Sequence, residues 1–163
     1  MARDAKQPRL LLSVLDRLLI DTELTSIRDV DRYTVDHLRA AVGRDLELLL
    51  NSRQRCLSLP KGLDELPKSL VNYGVPDFAG ANLGSESAMH TLRAEVEEAI
   101  RRFEPRLRNV KVELMDPGES LDRALRLRID ASVEAEPFPE HVVYDSVLEP
   151  VTRTFSITSV VDA

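Results

Sequence analysis

The chain has 163 residues, enough for one core of ordinary size and little more. Apolar residues make up 43% and charged residues 31%, which excludes wholesale disorder, while a formal charge of -6 excludes a general polyanion binder. With 4 Phe, 3 Tyr and 0 Trp there are few platforms for stacking bases or sugar rings, and Cys56, His37, His90 and His141 offer neither a disulfide nor metal-ligand spacing, so no cofactor is expected.

Residues 11, 14, 15, 18 and 19 are apolar at helical spacing behind Pro8. Asp16 and Arg17 interrupt the run and no small-residue cleavage site follows, so the segment reads as a short amphipathic helix and not as a signal peptide. Residues 1–30 are expected to form an N-terminal helix and arm, ahead of a single domain over 31–163 in a cytoplasmic protein. Val35, Leu38, Val42, Leu46, Leu49 and Leu50 then recur every three or four residues behind Thr34, which predicts a helix over 34–52. Leu63, Leu66, Leu70 and Val71 predict a shorter helix ending before Gly74, with a loop over 75–85. Met89, Leu92, Val96, Ala99, Ile100 and Phe103 form one stripe, which predicts a helix over 86–103 that Pro105 terminates.

Periodicity falls to two beyond Pro105. Val110, Val112 and Leu114 alternate with Lys111, Glu113 and Met115. After a turn at Asp116-Pro117-Gly118, Leu125, Leu127, Ile129, Ala131 and Val133 alternate with polar residues, so two antiparallel strands with one wet face each are expected. Prolines 137, 139 and 150 mark 137–150 as an excursion, and Val151, Arg153, Phe155 and Ile157 predict a final strand over 151–158. The fold class is therefore α+β, with N-terminal helices packed on a small, mainly antiparallel C-terminal sheet.

Charge is uneven: residues 101–128 carry +3 and residues 129–163 carry -6, a division that suits protein partners. Within the basic part, Arg101-Arg102-Phe103-Glu104-Pro105-Arg106-Leu107-Arg108 surrounds one glutamate with four arginines at a helix end. A carboxylate there opposes the helix dipole and calls for a cationic partner. Spacing leaves two arrangements open. Pro105 could aim Glu104 and Arg106 outward at another protein, or the pair could seal a helix-to-strand corner locally.

Phe103-Glu104-Pro105-Arg106-Leu107, between a helix and an alternating strand, resembles the Glu-Pro-Arg motif of the lysozyme-like baseplate wedge family of contractile phage tails. Leu11 to Leu18, Val42 to Asn51 and Leu70-Val71-Asn72-Tyr73-Gly74-Val75-Pro76-Asp77 extend the likeness over residues 11–158. Ser52-Arg53-Gln54-Arg55 replaces the Gly-Glu-Arg turn usual in phage members, so the chain looks most like the TssE subunits of type VI secretion baseplates. The resemblance implies a structural wedge component that joins the baseplate to the contractile sheath and nucleates sheath assembly. The implied partners are the wedge subunits TssF, TssG and TssK and the sheath subunits, the sheath meeting the strand at 109–115 or 151–158. The implied contact residues are Glu104, Pro105, Arg106, Arg101 and Arg108; Glu104→Ala and Arg106→Ala are expected to leave a folded protein with lost or reduced binding to the other wedge proteins and few or no assembled sheaths.

Two other functions bear on the same residues. A muramidase needs a carboxyl group kept as a proton donor, whereas four arginines hold Glu104 as a carboxylate, so no enzyme is expected. Related domains of this fold also bind a regulatory protein, which makes a free-standing cytoplasmic adaptor the alternative.

Overall fold

Thr34 opens the first helix, α1 (Val35–Asn51): its hydroxyl accepts the His37 N–H at 3.4 Å while His37 Nδ1 accepts the Thr34 N–H at 3.3 Å, a reciprocal cap. Leu38, Ala41, Val42, Leu46, Leu49 and Leu50 form its buried stripe. The computed structural model describes residues 34–55, 62–78, 85–115, 125–134, 139–149 and 151–160. The expected N-terminal helix and arm, Cys56 and the Asp116-Pro117-Gly118 turn lie outside those residues.

The single helix expected through 63–71 is replaced by two 3-10 turns, Leu66–Lys68 and Leu70–Asn72. Pro67 supplies no N–H, and Ser69 Oγ donates to the Leu66 carbonyl at 2.7 Å and accepts from the Val71 N–H, so the chain restarts at Ser69. Val75, expected in a loop, is instead buried, and its backbone pairs with the end of α1: Val75 N–H donates to Ser52 O at 2.9 Å and Gln54 N–H to Val75 O at 3.0 Å. Gly74 makes the approach possible, because at φ +107° a Cβ would stand 2.4 Å from Ser52 O.

The second helix, α2 (Glu86–Phe103), buries Leu92, Val96, Ala99 and Ile100 and ends with Glu104 N–H on the Ile100 carbonyl. Four strands follow as an antiparallel meander in the order β1 (Leu107–Met115), β2 (Leu125–Val133), β3 (Glu140–Leu148), β4 (Phe155–Val160). The α+β class is as expected: both helices precede the sheet, and their buried stripes join one core with its inner residues. The excursion expected at 137–150 is corrected, since it contains β3, an interior strand. Val142, Tyr144, Ser146 and Leu148 point inward there, and the flanking prolines stop short of the strand. The last strand starts at Phe155, later than expected, because Val151 to Thr154 form the turn that precedes it.

Tyr144 ties β3 to α1. Its ring lies where a Cβ on Gly43 would sit 3.3 Å away, its hydroxyl donates to the Arg39 carbonyl at 3.0 Å, and burial pushes its phenol above the usual range. The opposite sheet face is wet and charged, with Arg128 on Asp145, His141 on Asp130 and Lys111 on Glu113.

Gly74→Ala is expected to lower stability by about 2–3 kcal/mol in urea unfolding, from the positive φ and the clash with Ser52 O. A change under about 0.5 kcal/mol would mean that the Ser52–Val75 junction is loose.

Candidate functional site

The junction of α2 and β1 is a tight turn: Leu107 N–H donates to the Glu104 carbonyl at 3.1 Å, with Pro105 at the second position, where its fixed φ suits a β-turn. Across that turn Arg106 grips Glu104 with two hydrogen bonds of 2.7 Å, Nε to Oε1 and Nη2 to Oε2. The same Nη2 reaches Asp45 of α1 at 2.6 Å, and Arg44 holds the other Asp45 oxygen at 3.1 Å. The side chains of Glu104, Arg106 and Asp45 are only 8%, 18% and 18% exposed, so water does little to weaken these contacts.

Electrostatics follow from this crowding. The Glu104 hydrogen bond, above all, raises the Arg106 guanidinium further beyond its ordinary range. Tyr73 packs edge-on against Phe103 at 5.2 Å, and its phenol is pushed up by burial first and then by Asp45 and Glu104. Both carboxylates are occupied, which suits the corner for holding a shape.

Above this network lies a cleft of about 260 Å³ lined by Leu38, Pro105, Arg106, Arg108, Val133 and Glu134. Its floor is apolar, and Arg108 and Glu134, both well exposed, face each other at 3.4 Å on the rim. Glu134 N–H also donates to the Arg106 carbonyl at 3.2 Å, which fastens the end of β2 to the turn.

Of the five residues singled out by sequence, Pro105, Arg106 and Arg108 meet at the cleft and Pro105 is exposed. Glu104 is different from the outward arrangement: it turns inward and is sealed under Arg106, the local corner arrangement that spacing also allowed. Arg101 lies away from the cleft, bonded to Glu97 at 2.6 Å and to the Val110 carbonyl at 2.8 Å on the edge of β1. Sequence reasoning missed Asp45 and Tyr73. Asp45 carried a signal, since it occupies the stripe defined by Leu38, Val42 and Leu49, three residues beyond Val42 and four before Leu49.

Among the described residues no helix is long and apolar enough to cross a membrane, and no group of His, Cys, Asp or Glu could hold a metal ion.

Comparison with known proteins sets the chain beside a family, a curated relative and a solved structure. The family model described as baseplate wedge protein gp25 matches residues 36–137, which span α1, the Glu104 corner and β2. The anti-adapter protein IraD of Salmonella arizonae is 30% identical over 120 residues, covering 72% of this chain and 88% of that protein. A chain of the baseplate complex from the type VI secretion system superposes with a TM-score of 0.46 at 19% identity, covering 69% of this chain and 94% of that one.

Removing the central cation leaves the buried Glu104 carboxylate unpaired and Asp45 with Arg44 alone, so Arg106→Gln is expected to cost about 3 kcal/mol of unfolding free energy. Arg106→Lys should recover only part of this, because an ammonium cannot reproduce the planar fork. Urea denaturation measures both, and a loss under about 1 kcal/mol for Arg106→Gln would contradict the assignment of the network as the corner's anchor.

Proposed function

The chain belongs to the family of baseplate wedge protein gp25, and on that premise we propose that it is a structural, non-catalytic subunit of a type VI secretion baseplate wedge, a TssE-type protein acting in the cytoplasm. The observation that carries this reading is the rigid corner, whose buried Glu104–Arg106–Asp45 network presents Pro105 and the Arg108–Glu134 rim as a fixed docking edge. The partners at that edge are the other wedge subunits, TssF, TssG and TssK. Pro105, Arg106 and Arg108 make the contact, Arg101 meets the partner away from the cleft, and Glu104 acts from beneath by fixing Arg106. A corner whose shape is set before binding loses little conformational freedom on docking.

The second attachment is to the contractile sheath, by strand addition at an open sheet edge. The two edges differ. On β1, α2 occupies the outward backbone groups: Arg101 donates to Val110 O, Glu97 accepts the Val112 N–H at 3.0 Å, and Arg93 donates to Val112 O at 3.2 Å. On β4, Asn51 takes both backbone groups of Phe155 at 2.8 Å, and strand alternation then turns the groups of Ile157 and Ser159 outward. We therefore assign sheath nucleation to β4.

Similarity to the anti-adapter IraD favours one other reading, an adaptor that binds a single regulatory protein. Co-purification from the native host separates the two. A wedge subunit brings down several baseplate proteins and sheath, an adaptor a single regulator. For the sheath contact, Ser159→Pro removes an outward amide and leaves the pairing of β3 with β4 untouched. The variant is expected to fold and to bind the wedge while sheath assembly falls by at least about tenfold by fluorescence counting of sheaths; normal assembly would remove β4 from this role.

A further inference from the structure

The far end of α1 carries a second surface. Most described arginines face a carboxylate, as Arg39, Arg93, Arg102, Arg108 and Arg128 do. Among the described residues, Arg53, Arg55 and Arg153 have no carboxylate within salt-bridge distance, although the chain as a whole carries -6. All three are exposed; Arg53 Nη2 donates to the Arg153 backbone carbonyl at 2.8 Å, and Arg53 and Arg55 line one groove. That contact holds the β3–β4 turn, in which Arg153 has φ 55°. An acidic protein that leaves three arginines together without a counter-charge has a local field opposite to its net charge.

The same face is apolar. Leu70 and Val71 line a groove of about 440 Å³ with Ser52, Arg53, Arg55 and Tyr73. Leu70 is 86% exposed, and Val151, two residues before Arg153 in the turn that Arg53 holds, is 88% exposed. The 3-10 break at Ser69 is what turns Leu70 outward, away from the core stripe its spacing suggested. Aliphatic side chains in the open beside guanidinium groups match what protein interfaces use: an apolar contact for burial, and forks that pair with carboxylates for direction.

We propose that this face docks an extended acidic segment of a partner protein, in which carboxylates flank aliphatic side chains. The carboxylates pair with Arg53, Arg55 and Arg153, and the aliphatic groups cover Leu70, Val71 and Val151. A nucleic acid fits less well, since Tyr73, the ring in the groove, is packed against Phe103 and the remaining lining is aliphatic. The site is separate from the Pro105 cleft. Leu38 of the cleft and Arg53 are 15 positions apart at opposite ends of α1, about 20 Å at the helical rise. The proposal therefore stands whether the chain serves a baseplate or a regulator.

The test uses the full chain and a fluorescein-labelled peptide of three leucines between two blocks of three aspartates, followed by fluorescence anisotropy. Arg55→Glu and Leu70→Ser alter exposed side chains and are expected to fold as the parent does by circular dichroism. Each should weaken binding by at least about tenfold, as should replacement of the peptide leucines by serine, whereas Arg126→Glu, at an exposed arginine on the outer sheet face, should change it less than about twofold. Absence of binding, binding unmoved by Arg55→Glu and Leu70→Ser, or equal binding of the leucine-free peptide or of a single-stranded oligonucleotide would overturn the proposal.

Discussion

The structure depends on one guanidinium shared by two carboxylates. Arg106 joins Glu104, at the end of α2, to Asp45, on the inner face of α1, and it does so from the first residues leading into β1. Three elements are fixed relative to one another by a single planar group. Pro105 limits the freedom of the turn, and the bidentate geometry limits it further. Burying such charges has a desolvation cost, and a well-packed apolar cluster of the same volume would be at least as stable. What the network adds is direction: two acceptors and a fork fit in one relative orientation, whereas apolar side chains can slide.

The rest of the fold extends that constraint along α1. Near its start the helix carries the Arg39 carbonyl that receives Tyr144 from β3; at mid-length it carries Asp45; at its end Asn51 clasps Phe155 of β4. Directly after it, Ser52 and Gln54 pair with Val75, and Arg53 holds the β3–β4 turn. One helix therefore sets the positions of the corner, an interior strand and an edge strand. The open β1 edge is closed from the other side by the Arg93–Glu97–Arg101 ladder of α2, which guards against unwanted strand pairing. Among the described residues, the surfaces proposed for partners are the Pro105 cleft, the β4 edge and the arginine-rich end of α1.

Much of this was legible in the sequence where one physical signal dominated. α1 and α2 follow from their apolar stripes and from Pro105, and β2 from strict alternation. β3 was not legible, because Val143 and Val147 on its outer face break the alternation, Ser146 interrupts the inner face, and prolines on both flanks imitate a loop. The segment around Leu70 misled in the opposite sense: its leucines keep helical spacing, but Pro67 and Ser69 prevent the helix that would bury them. At the corner, sequence identified the chemistry of Glu104 and Arg106 but left its direction open, since the deciding partner, Asp45, is 61 residues away from Arg106. A carboxylate inside an apolar stripe is the one local sign that a buried cation must come to meet it.

Arg106 and Asp45 act on each other inside the folded chain. A double-mutant cycle with Asp45→Asn, Arg106→Gln and the double variant, measured by urea unfolding of the isolated protein, isolates that interaction. The structure predicts a coupling of about 2 kcal/mol or more, in line with residues that share one buried hydrogen-bonded network. Additive losses, with a coupling below about 0.5 kcal/mol, would contradict it and leave the corner held by packing alone.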